Sequence, residues 1–250
     1  MTLTVYLWIG LLGIIIGSFL NVLILRIPQG QDFVKEPSHC MKCGHRLVWK
    51  DLVPVFSYLF LKGRCRYCGS RISPQYPVIE SVNGALWILC VAVRGFGAEG
   101  ILLCLLSSLL LVISVIDWRT YEIPPQLNLG ILILGIVKLF LVQGNRWEYI
   151  IGMFAVSVPL AILFYISKGK AIGGGDVKLM AAAGMFLGWK NAVLALALGC
   201  ILGSVIHVMR MWLQGADRVL AMGPYLSAGI FLAALFGNAW ITWYLSLLTV

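Results

Sequence analysis

Long apolar stretches dominate this chain and leave few folds open to it. Eight of them run at about 4–25, 76–94, 100–116, 126–143, 147–167, 176–189, 190–212 and 222–247. A lipid bilayer offers no water to hydrogen-bond the backbone, so a spanning segment must be a helix or part of a closed barrel. Apolar stretches of about 17 to 25 residues have the length of a transmembrane helix. The sequence therefore predicts an all-α, polytopic transmembrane helix bundle of about eight spans.

The composition agrees with a membrane protein. Of the 250 residues, 60% are hydrophobic and 12% are charged, and the mean hydropathy is +0.94. Such values exclude an ordinary soluble domain. The first stretch has no basic residue before it and no small-residue cleavage site after it, so we expect a retained membrane anchor. The stretch from Val177 to Leu213 is expected to form a helical hairpin that turns at 188–191.

The lysines and arginines predict an orientation. Nine of the nineteen lie in segment 26–75, and cytoplasmic loops of membrane proteins carry an excess of such residues. We therefore expect this segment on the cytoplasmic side of the membrane. Eight spans threaded from there place most of the other basic residues on the same side, and both termini outside.

Two Cys-x-x-Cys pairs lie in the hydrophilic segment 26–75. They are Cys40 with Cys43 and, after 21 intervening residues, Cys65 with Cys68. Two such pairs let four thiolates converge on one tetrahedral zinc ion, and nearby lysines and arginines favour the thiolate form. A reducing cytoplasm argues against disulfides. Because four thiolates leave no open position for water, the predicted role of the zinc is structural.

Other histidines and cysteines have simpler interpretations. His39 and His45 flank the first cysteine pair and are alternative ligands, but we expect solvated loop residues. Cys90, Cys104 and Cys200 lie within apolar stretches, where cysteine is most simply a small packing residue.

Two aspartates stand at the ends of apolar stretches. Asp117 directly follows one stretch and Asp176 begins a later one. On an eight-span path both lie on the cytoplasmic side and at a similar depth. When two carboxyl groups face each other, their pKa values separate, so one can keep a proton while the other activates water. The pair is therefore predicted to hydrolyse a peptide bond, as an aspartyl protease does.

Three other interpretations stay open. The aspartates could be ordinary interfacial charges, with Asp176 favoured by the helix dipole and Asp117 paired with Arg119 or Lys178. They could carry protons or cations in an ion-coupled transporter, although acidic groups near the bilayer midplane are expected in that class. The cysteine segment could recruit a cytoplasmic partner without catalysis.

A run of three glycines precedes Asp176. Glycine permits backbone conformations that other residues resist. The apolar stretch after Asp176 has only about 14 residues, or about 21 Å as a helix, against a hydrocarbon core of about 30 Å. We expect the loop to enter the bilayer and to place Asp176 in a water-filled notch. The supporting loop residues are Gly173, Gly174, Gly175 and Lys178.

Several motifs, in order and spacing, resemble those of the bacterial type IV prepilin peptidases over nearly the whole chain. They are Gly17-Ser18-Phe19-Leu20-Asn21 with Arg26 and Pro28, the two cysteine pairs, Tyr76-Pro77-Val78-Ile79-Glu80, Asp117 with Ile123-Pro124, Gly173-Gly174-Gly175-Asp176-Val177-Lys178-Leu179, and Gly223-Pro224-Tyr225-Leu226. The family more often has an acidic residue at the position of Pro125, a departure that concerns the local loop and not the aspartates.

The resemblance implies an integral-membrane aspartyl endopeptidase that removes the short basic leader of type IV prepilins and related pseudopilins, substrates of pilus assembly and type II secretion. In many members the same protein then methylates the new N-terminal amine with S-adenosylmethionine; a peptidase without this activity is the alternative. The expected partners are these substrates and the bilayer, with no nucleic acid, and a homodimer is left open. The residues that match the family's catalytic pair and zinc ligands are Asp117, Asp176, Cys40, Cys43, Cys65 and Cys68.

The residues of methyl transfer are harder to identify. No Gly-x-Gly-x-x-Gly element or strand-rich domain indicates a Rossmann site. Polar groups where the first two spans end are the candidates, because they are costly in a membrane unless partnered. Glu80 either belongs to an amine or cofactor pocket or forms a salt bridge with Arg26. The full candidate set is Asn21, Arg26, Glu80 and Asn83.

These observations divide the chain into four parts. Residues 1–25 form the first transmembrane helix, 26–75 the zinc-binding segment, 76–99 the second transmembrane helix and 100–250 a six-helix aspartyl peptidase domain. The zinc-binding segment and its flanking helices form the predicted N-methyltransferase region. Within it, Gly13 and Gly17 are one helical turn apart and are expected to form a close-packing face.

Overall fold

The computed structural model describes residues 3–32, 34, 36–141, 145–214 and 220–248. Helices account for nearly all regular structure in these ranges, and the only β-type pairing there is two isolated bridges. The predicted all-α class is confirmed. The predicted span 126–143 ends at two residues that lie outside the described ranges.

Ten helices are found in the described ranges. They are α1 (Leu3–Arg26), α2 (Phe56–Phe60), α3 (Gln75–Arg94), α4 (Ala98–Thr120), α5 (Pro125–Leu141), α6 (Trp147–Ala155), α7 (Ser157–Ile166), α8 (Gly174–Leu187), α9 (Trp189–Gln214) and α10 (Gly223–Leu248).

All eight predicted apolar segments are helical, but they differ in length. Six are long and apolar enough to cross a membrane, with α6 and α7 together forming one of them. The other two, α5 and α8, have 17 and 14 residues. The expected number of about eight spans is therefore approximate.

Two local features explain where helices end in the second half of the chain. Pro159 has no N–H to bond the carbonyl of Ala155, which is the last residue of α6, and its ring disfavours a continuous helix there. The span predicted at 147–167 is thus divided at Val156. Gly188 has a φ of +80° and joins α8 to α9, so the predicted hairpin turn is confirmed.

The chain divides into two compact units, residues 1–96 and 97–250. In the first unit, α1 packs along α3 through glycines. A Cβ at Gly13 would lie 2.9 Å from the Cα of Gly84, and one at Gly17 would lie 2.7 Å from the Cα of Glu80. Only glycine permits so close an approach, so the predicted packing face is confirmed.

The second unit is a bundle of α4 to α10 in which α8 packs against five other helices. Glycine again allows close contacts, since Gly152 of α6 and Gly184 of α8 meet backbone to backbone. The α8 helix is therefore surrounded by protein over much of its length. The largest fully buried apolar side chains of this unit are Leu106, Val112, Ile113, Ile116, Ile131, Leu179, Met180, Leu226 and Ile230.

Candidate active site and metal centre

Asp117 lies in the last turn of α4 and is buried, with 4% of its surface exposed. Its Oδ2 accepts a 2.8 Å hydrogen bond from the backbone N–H of Gly223, the first residue of α10. In the described part of the chain Asp117 has no ion pair, so the alternative pairing with Arg119 or Lys178 is not observed. The positive end of a helix favours a carboxylate at this position.

Asp176 is the third residue of α8 and is also buried, with 8% of its surface exposed. Its Oδ2 accepts a 3.2 Å hydrogen bond from the backbone N–H of Gly173, which satisfies one of the free donors at the start of the helix. Each aspartate therefore receives one N–H group at the N-terminus of a helix. Asp117 receives it from another helix, and Asp176 from its own.

The structure brings the two aspartates together. They come from α4 and α8, and Ile123 in the loop after Asp117 packs against Gly175, next to Asp176. The two carboxyl groups are close enough to interact electrostatically. Neither carboxyl group has a cationic partner in the described ranges. Two buried carboxyl groups that interact without a counter-charge favour a state in which they share one proton.

The glycine run before Asp176 is required because neighbouring groups approach it closely, and not because its backbone is unusual. None of its three residues has a positive φ. A Cβ at Gly173 would lie 3.0 Å from Oδ2 of Asp176, and a Cβ at Gly175 would lie 3.0 Å from the Cβ of Ile123. The expectation of unusual conformations was wrong, because the close approach of neighbouring groups is what requires glycine here. Lys178, grouped with this loop, is exposed.

The short helix that carries Asp176 is confirmed, but it begins at Gly174, within the glycine run. The α8 helix has 14 residues, which corresponds to about 21 Å. A bilayer core of about 30 Å exceeds that length. The water-filled notch at Asp176 stays a prediction.

The four paired cysteines converge on one point, which is the arrangement expected of a metal centre. Their sulfur atoms all lie within 4.8 Å of one another, and Cys40 Sγ lies 3.9 Å from Cys68 Sγ. Sulfur atoms about 2.3 Å from a tetrahedral zinc ion are about 3.8 Å apart. The cluster can therefore hold a metal ion, and its ligand set is Cys40, Cys43, Cys65 and Cys68.

Both cysteine pairs have the same backbone geometry. In each pair the N–H of the first cysteine bonds the carbonyl five residues later, Cys40 to His45 and Cys65 to Ser70. Gly44 and Gly69 follow the second cysteines with φ of +69° and +70°, a conformation that favours glycine. Backbone N–H groups directed at the Cys40 sulfur lower its pKa to about 6. The thiolate form, which binds metal, is favoured as a result.

Asp51 joins the two halves of the cysteine segment. Its carboxylate accepts hydrogen bonds from Arg66 Nε at 2.7 Å, from the Tyr67 hydroxyl at 3.1 Å and from the Val48 N–H at 3.3 Å. Burial raises the pKa of Asp51, but these donors outweigh it and the net pKa is lowered. The sequence gave no reason to single out Asp51, because its partners are 15 and 16 residues away.

The remaining histidines and cysteines lie outside the metal cluster. His45 packs its ring against Tyr67, with centroids 3.6 Å apart, and His39 contacts the carbonyl of Pro37. Cys90 and Cys104 are buried packing residues as expected, whereas Cys200 is exposed on α9. The four-cysteine cluster is thus complete without a histidine.

Three of the four methyl-transfer candidates gather around Gly17. The Asn21 amide donates to the carbonyls of Gly17 and Tyr76, at 3.4 and 3.2 Å, and Asn83 donates to the carbonyl of Gly13 at 2.7 Å. The Cα of Glu80 lies against Gly17 as well. These residues join α1 to α3 through backbone carbonyls.

Glu80 and Arg26 do not form the salt bridge that was the alternative. Arg26 donates to the carbonyls of Asp32, Glu36 and Pro37 at 3.0, 2.8 and 3.3 Å. It therefore anchors the loop that follows α1. Glu80 Oε2 instead accepts a 2.6 Å hydrogen bond from the Val55 N–H.

Val55 has an unusual backbone. Its φ is +61° and its ψ is −53°, and the N–H of Phe56 bonds the carbonyl of Pro54 at 2.6 Å. This is a γ-turn of the strained kind, which a β-branched residue rarely adopts. Strain of this kind persists only where surrounding contacts enforce it, and the Glu80 carboxylate provides one such contact.

Two family models cover most of the chain. The bacterial peptidase A24 N-terminal domain matches residues 11–94, and the type IV leader peptidase family matches residues 104–208. A prepilin leader peptidase/N-methyltransferase of Xanthomonas campestris pv. campestris is 32% identical, over 94% of this chain and 92% of that protein. The chain belongs to the type IV leader peptidase family. No solved structure matches it at a significant level.

Other members of the family show a similar extent of likeness. Relatives of the same description from Pectobacterium carotovorum subsp. carotovorum and Pseudomonas putida are 35% and 34% identical. They match 88% and 91% of this chain, and 89% of each relative is covered. This leader peptidase family member is an integral membrane protein with apolar helices and a cysteine cluster.

Sequence reasoning missed the role of Gly223 at this site. Its N–H contacts Asp117 across 106 positions of sequence. The only local signal was Gly223-Pro224, which is typical of a helix start because proline is favoured in the first turn. That signal marks the start of α10 but does not indicate that this end of the helix contacts Asp117.

Proposed function

We propose that this protein removes the leader peptide from type IV prepilins and related pseudopilins and then methylates the new N-terminal residue. The observation that carries the proposal is the pair of buried, interacting carboxyl groups of Asp117 and Asp176 in a chain of the leader peptidase family. The site is proposed to face the cytoplasm from the inner membrane, because the excess of basic residues in segment 26–75 predicts that orientation.

The two aspartates act as one acid–base unit in this proposal. The ionised carboxylate accepts a proton from water as the water oxygen attacks the scissile carbonyl carbon. The protonated carboxyl group gives its proton to the carbonyl oxygen, which yields a neutral tetrahedral intermediate. The intermediate then breaks at the carbon–nitrogen bond, with a proton delivered to the leaving amine. The products are a leader with a free carboxyl group and a mature chain with a free amine.

The helix N-termini support a division of roles. The Gly223 N–H bonds Asp117 at 2.8 Å, a shorter bond than the 3.2 Å bond from Gly173 to Asp176, so Asp117 is proposed as the ionised base that activates water. Asp176 then holds the shared proton. Because the two groups titrate together, any apparent pKa belongs to the pair.

The four-cysteine cluster is proposed to hold zinc as a structural ion. Four thiolates satisfy tetrahedral zinc completely, so the site has no position for a reacting water. Its role is to join the two cysteine pairs and so to stabilise the fold of the segment between α1 and α3. The zinc ion and its four cysteines do not take part in hydrolysis.

Methyl transfer is proposed to occur near Glu80. Glu80 is buried and has no cationic partner in the described ranges, so it suits a site for a positively charged ligand or an amine. S-adenosylmethionine, when bound, supplies an electrophilic methyl group. Glu80 is proposed to take a proton from the substrate ammonium group, which frees the nitrogen lone pair. Asn21, Arg26 and Asn83 hold the helix ends and loop that surround it.

Mass measurement of the products tests this function. Purified protein is incubated with a prepilin in detergent, with and without S-adenosylmethionine. We expect loss of the leader in both cases and a further gain of one methyl group only with the donor. Asp117→Asn and Asp176→Asn should each abolish cleavage, whereas Glu122→Gln, a change at an exposed carboxylate of the neighbouring loop, should not. Cleavage that survives in both aspartate variants would rule out the assignment.

A further inference from the structure

Asn128 is a buried side chain with no hydrogen-bond partner at either polar atom. It lies in the first turn of α5 and is 6% exposed. Both its amide nitrogen and its amide oxygen are unpartnered, and among the described residues no other buried side chain has two such atoms. An unpaired amide in an apolar interior is costly, so an orphan of this kind needs an explanation.

The packing of α5 against α8 fixes the depth of Asn128. Ile123 meets α8 at Gly175, and Gly135 meets it at the backbone of Met185 and Phe186. Asn128 is two helical turns before Gly135 and lies on the same face of α5. Because the two helices run in the same direction, the part of α8 beside Asn128 is two turns before Met185 and Phe186. That part is the turn directly after Asp176. Asn128 therefore lies about one turn deeper in the bundle than the aspartates.

The substrate supplies groups that fit an orphan amide at this depth. Hydrolysis needs the backbone around the scissile bond to leave its helical conformation, which frees N–H and C=O groups within an apolar site. An asparagine side chain carries one carbonyl and one NH₂ group, so it can accept from the N–H and donate to the C=O of one residue of an extended backbone. If the leader lies on the cytoplasmic side, the residues after the scissile bond run deeper, toward Asn128.

We propose that Asn128 binds the substrate backbone just after the scissile bond and holds it extended between the aspartates. This inference rests on the proposed peptidase function. In the free protein the amide of Asn128 is unpaired, and the bound peptide supplies its hydrogen-bond partners. Asn128 is thus a substrate-positioning residue that contacts the backbone and not the side chains of the substrate.

The first test separates binding from folding. Asn128→Leu keeps the branched shape and the number of heavy atoms and removes both orphan atoms, and Asn128→Ala removes them with a smaller side chain. We expect Asn128→Leu to melt at the same or a higher temperature than the wild type, because an unpaired amide is lost. We expect its kcat/KM for prepilin cleavage to fall by about tenfold or more, because both hydrogen bonds to the substrate are lost. A lower melting temperature in both variants would show that Asn128 has a structural partner and would overturn the proposal.

A matched control comes from another orphan in the same unit. The buried hydroxyl of Tyr225 is also unpartnered, and its ring packs against Gly203 of α9. Tyr225→Phe should leave cleavage unchanged. If the loss of any orphan slowed cleavage equally, the effect of Asn128 would not be specific.

The second test asks whether Asn128 meets the peptide backbone. Three prepilin peptides are made, each with an ester in place of one of the first three amide bonds after the cleavage site. Each peptide therefore lacks one backbone N–H. At one position the ester should slow the wild type, though less than Asn128→Leu does because only one of the two hydrogen bonds is lost, and it should slow that variant no further. Additive losses at all three positions would overturn the proposal. If the wild type fails to cut the all-amide peptide, the proposed function fails instead, so the two failures are distinguishable.

Discussion

The backbone N–H of Gly223 donates a 2.8 Å hydrogen bond to Oδ2 of Asp117. This contact places the N-terminus of α10 against a carboxyl group at the end of α4. A Cβ at Gly223 would lie 2.7 Å from the same oxygen, so no larger residue fits without moving the carboxyl group. One glycine therefore sets both the charge environment and the position of Asp117.

Gly223→Ala should lower the rate of leader cleavage. The added methyl group must displace the Asp117 carboxyl group or the start of α10, and displacements of about 1 Å in an active site can cost about a hundredfold in rate. The rate of prepilin cleavage, measured over a range of substrate concentrations, checks this. We expect kcat to fall and the KM to change little, because Asp117 acts on the reacting bond.

A glycine elsewhere in the same bundle provides the control. A Cβ at Gly130 would meet only the side chain of Leu109, at 3.2 Å, and that flexible side chain can move. Gly130→Ala should therefore cleave prepilin at the wild-type rate. Equal rates in the Gly223 and Gly130 variants would show that the Gly223 contact has no role in the reaction.

The sequence predicted those features that depend on neighbouring residues. Hydropathy located the eight long apolar segments that are helical, the turn at Gly188 and the shortness of α8. The cysteine spacing predicted the convergence of four thiols, because each pair is a local unit. Helix ends and the geometry of the cysteine pairs follow from local chemistry.

Contacts between distant segments were not predictable in this way. Hydropathy does not state which helices are neighbours, so neither the approach of α10 to Asp117 nor the packing of Ile123 on Gly175 could be foreseen. The salt bridge considered for Glu80 and Arg26 illustrates the difficulty. Opposite charges suggested a pair, but the loop carbonyls available to Arg26 depend on how the chain turns after α1.

Glu80→Gln should separate the two activities. Glutamine can still accept the hydrogen bond from the Val55 N–H, so the change removes charge and basicity while keeping the local shape. We expect methylation to fall about a hundredfold, as for loss of a general base, while leader cleavage continues. Product masses with S-adenosylmethionine measure both activities in one sample.

An exposed glutamate in the same unit is the matched control for that change. Glu36 contacts Arg26 only through its backbone carbonyl, so Glu36→Gln should keep both activities. Full methylation by the Glu80 variant would mean that the carboxylate only holds the γ-turn at Val55.

Cys68→Ser should release the metal from the cysteine cluster. Removing one of four thiolates breaks a closed tetrahedral site, and such sites contribute directly to folding. We expect the zinc content of the purified protein to fall from about one ion per chain to near zero. The segment between α1 and α3, which is rich in lysine and arginine, should then become sensitive to trypsin.

Cys200→Ser tests whether that effect belongs to the cluster. Cys200 is exposed on α9 and does not belong to the cluster, so its removal should change neither zinc content nor trypsin sensitivity. An unchanged zinc content in Cys68→Ser would contradict the four-cysteine ligand set.

The glycine run before Asp176 allows a test with two adjacent residues. A Cβ at Gly174 would lie 3.6 Å from the ring of Phe164, an ordinary contact, whereas a Cβ at Gly175 would lie 3.0 Å from the Cβ of Ile123. Since none of the run has a positive φ, alanine is conformationally allowed at both positions. The two substitutions therefore differ only in the space available.

Gly174→Ala should raise stability by about 0.5 to 1 kcal/mol, because alanine favours the first turn of α8 more than glycine does, and cleavage should be unchanged. Gly175→Ala should slow cleavage about tenfold, because Ile123 and the loop after Asp117 must move away from Asp176. Melting temperatures and cleavage rates of the two variants, measured side by side, decide the matter. If conformational freedom of the whole run were essential, both variants would lose activity, and the steric account would be wrong.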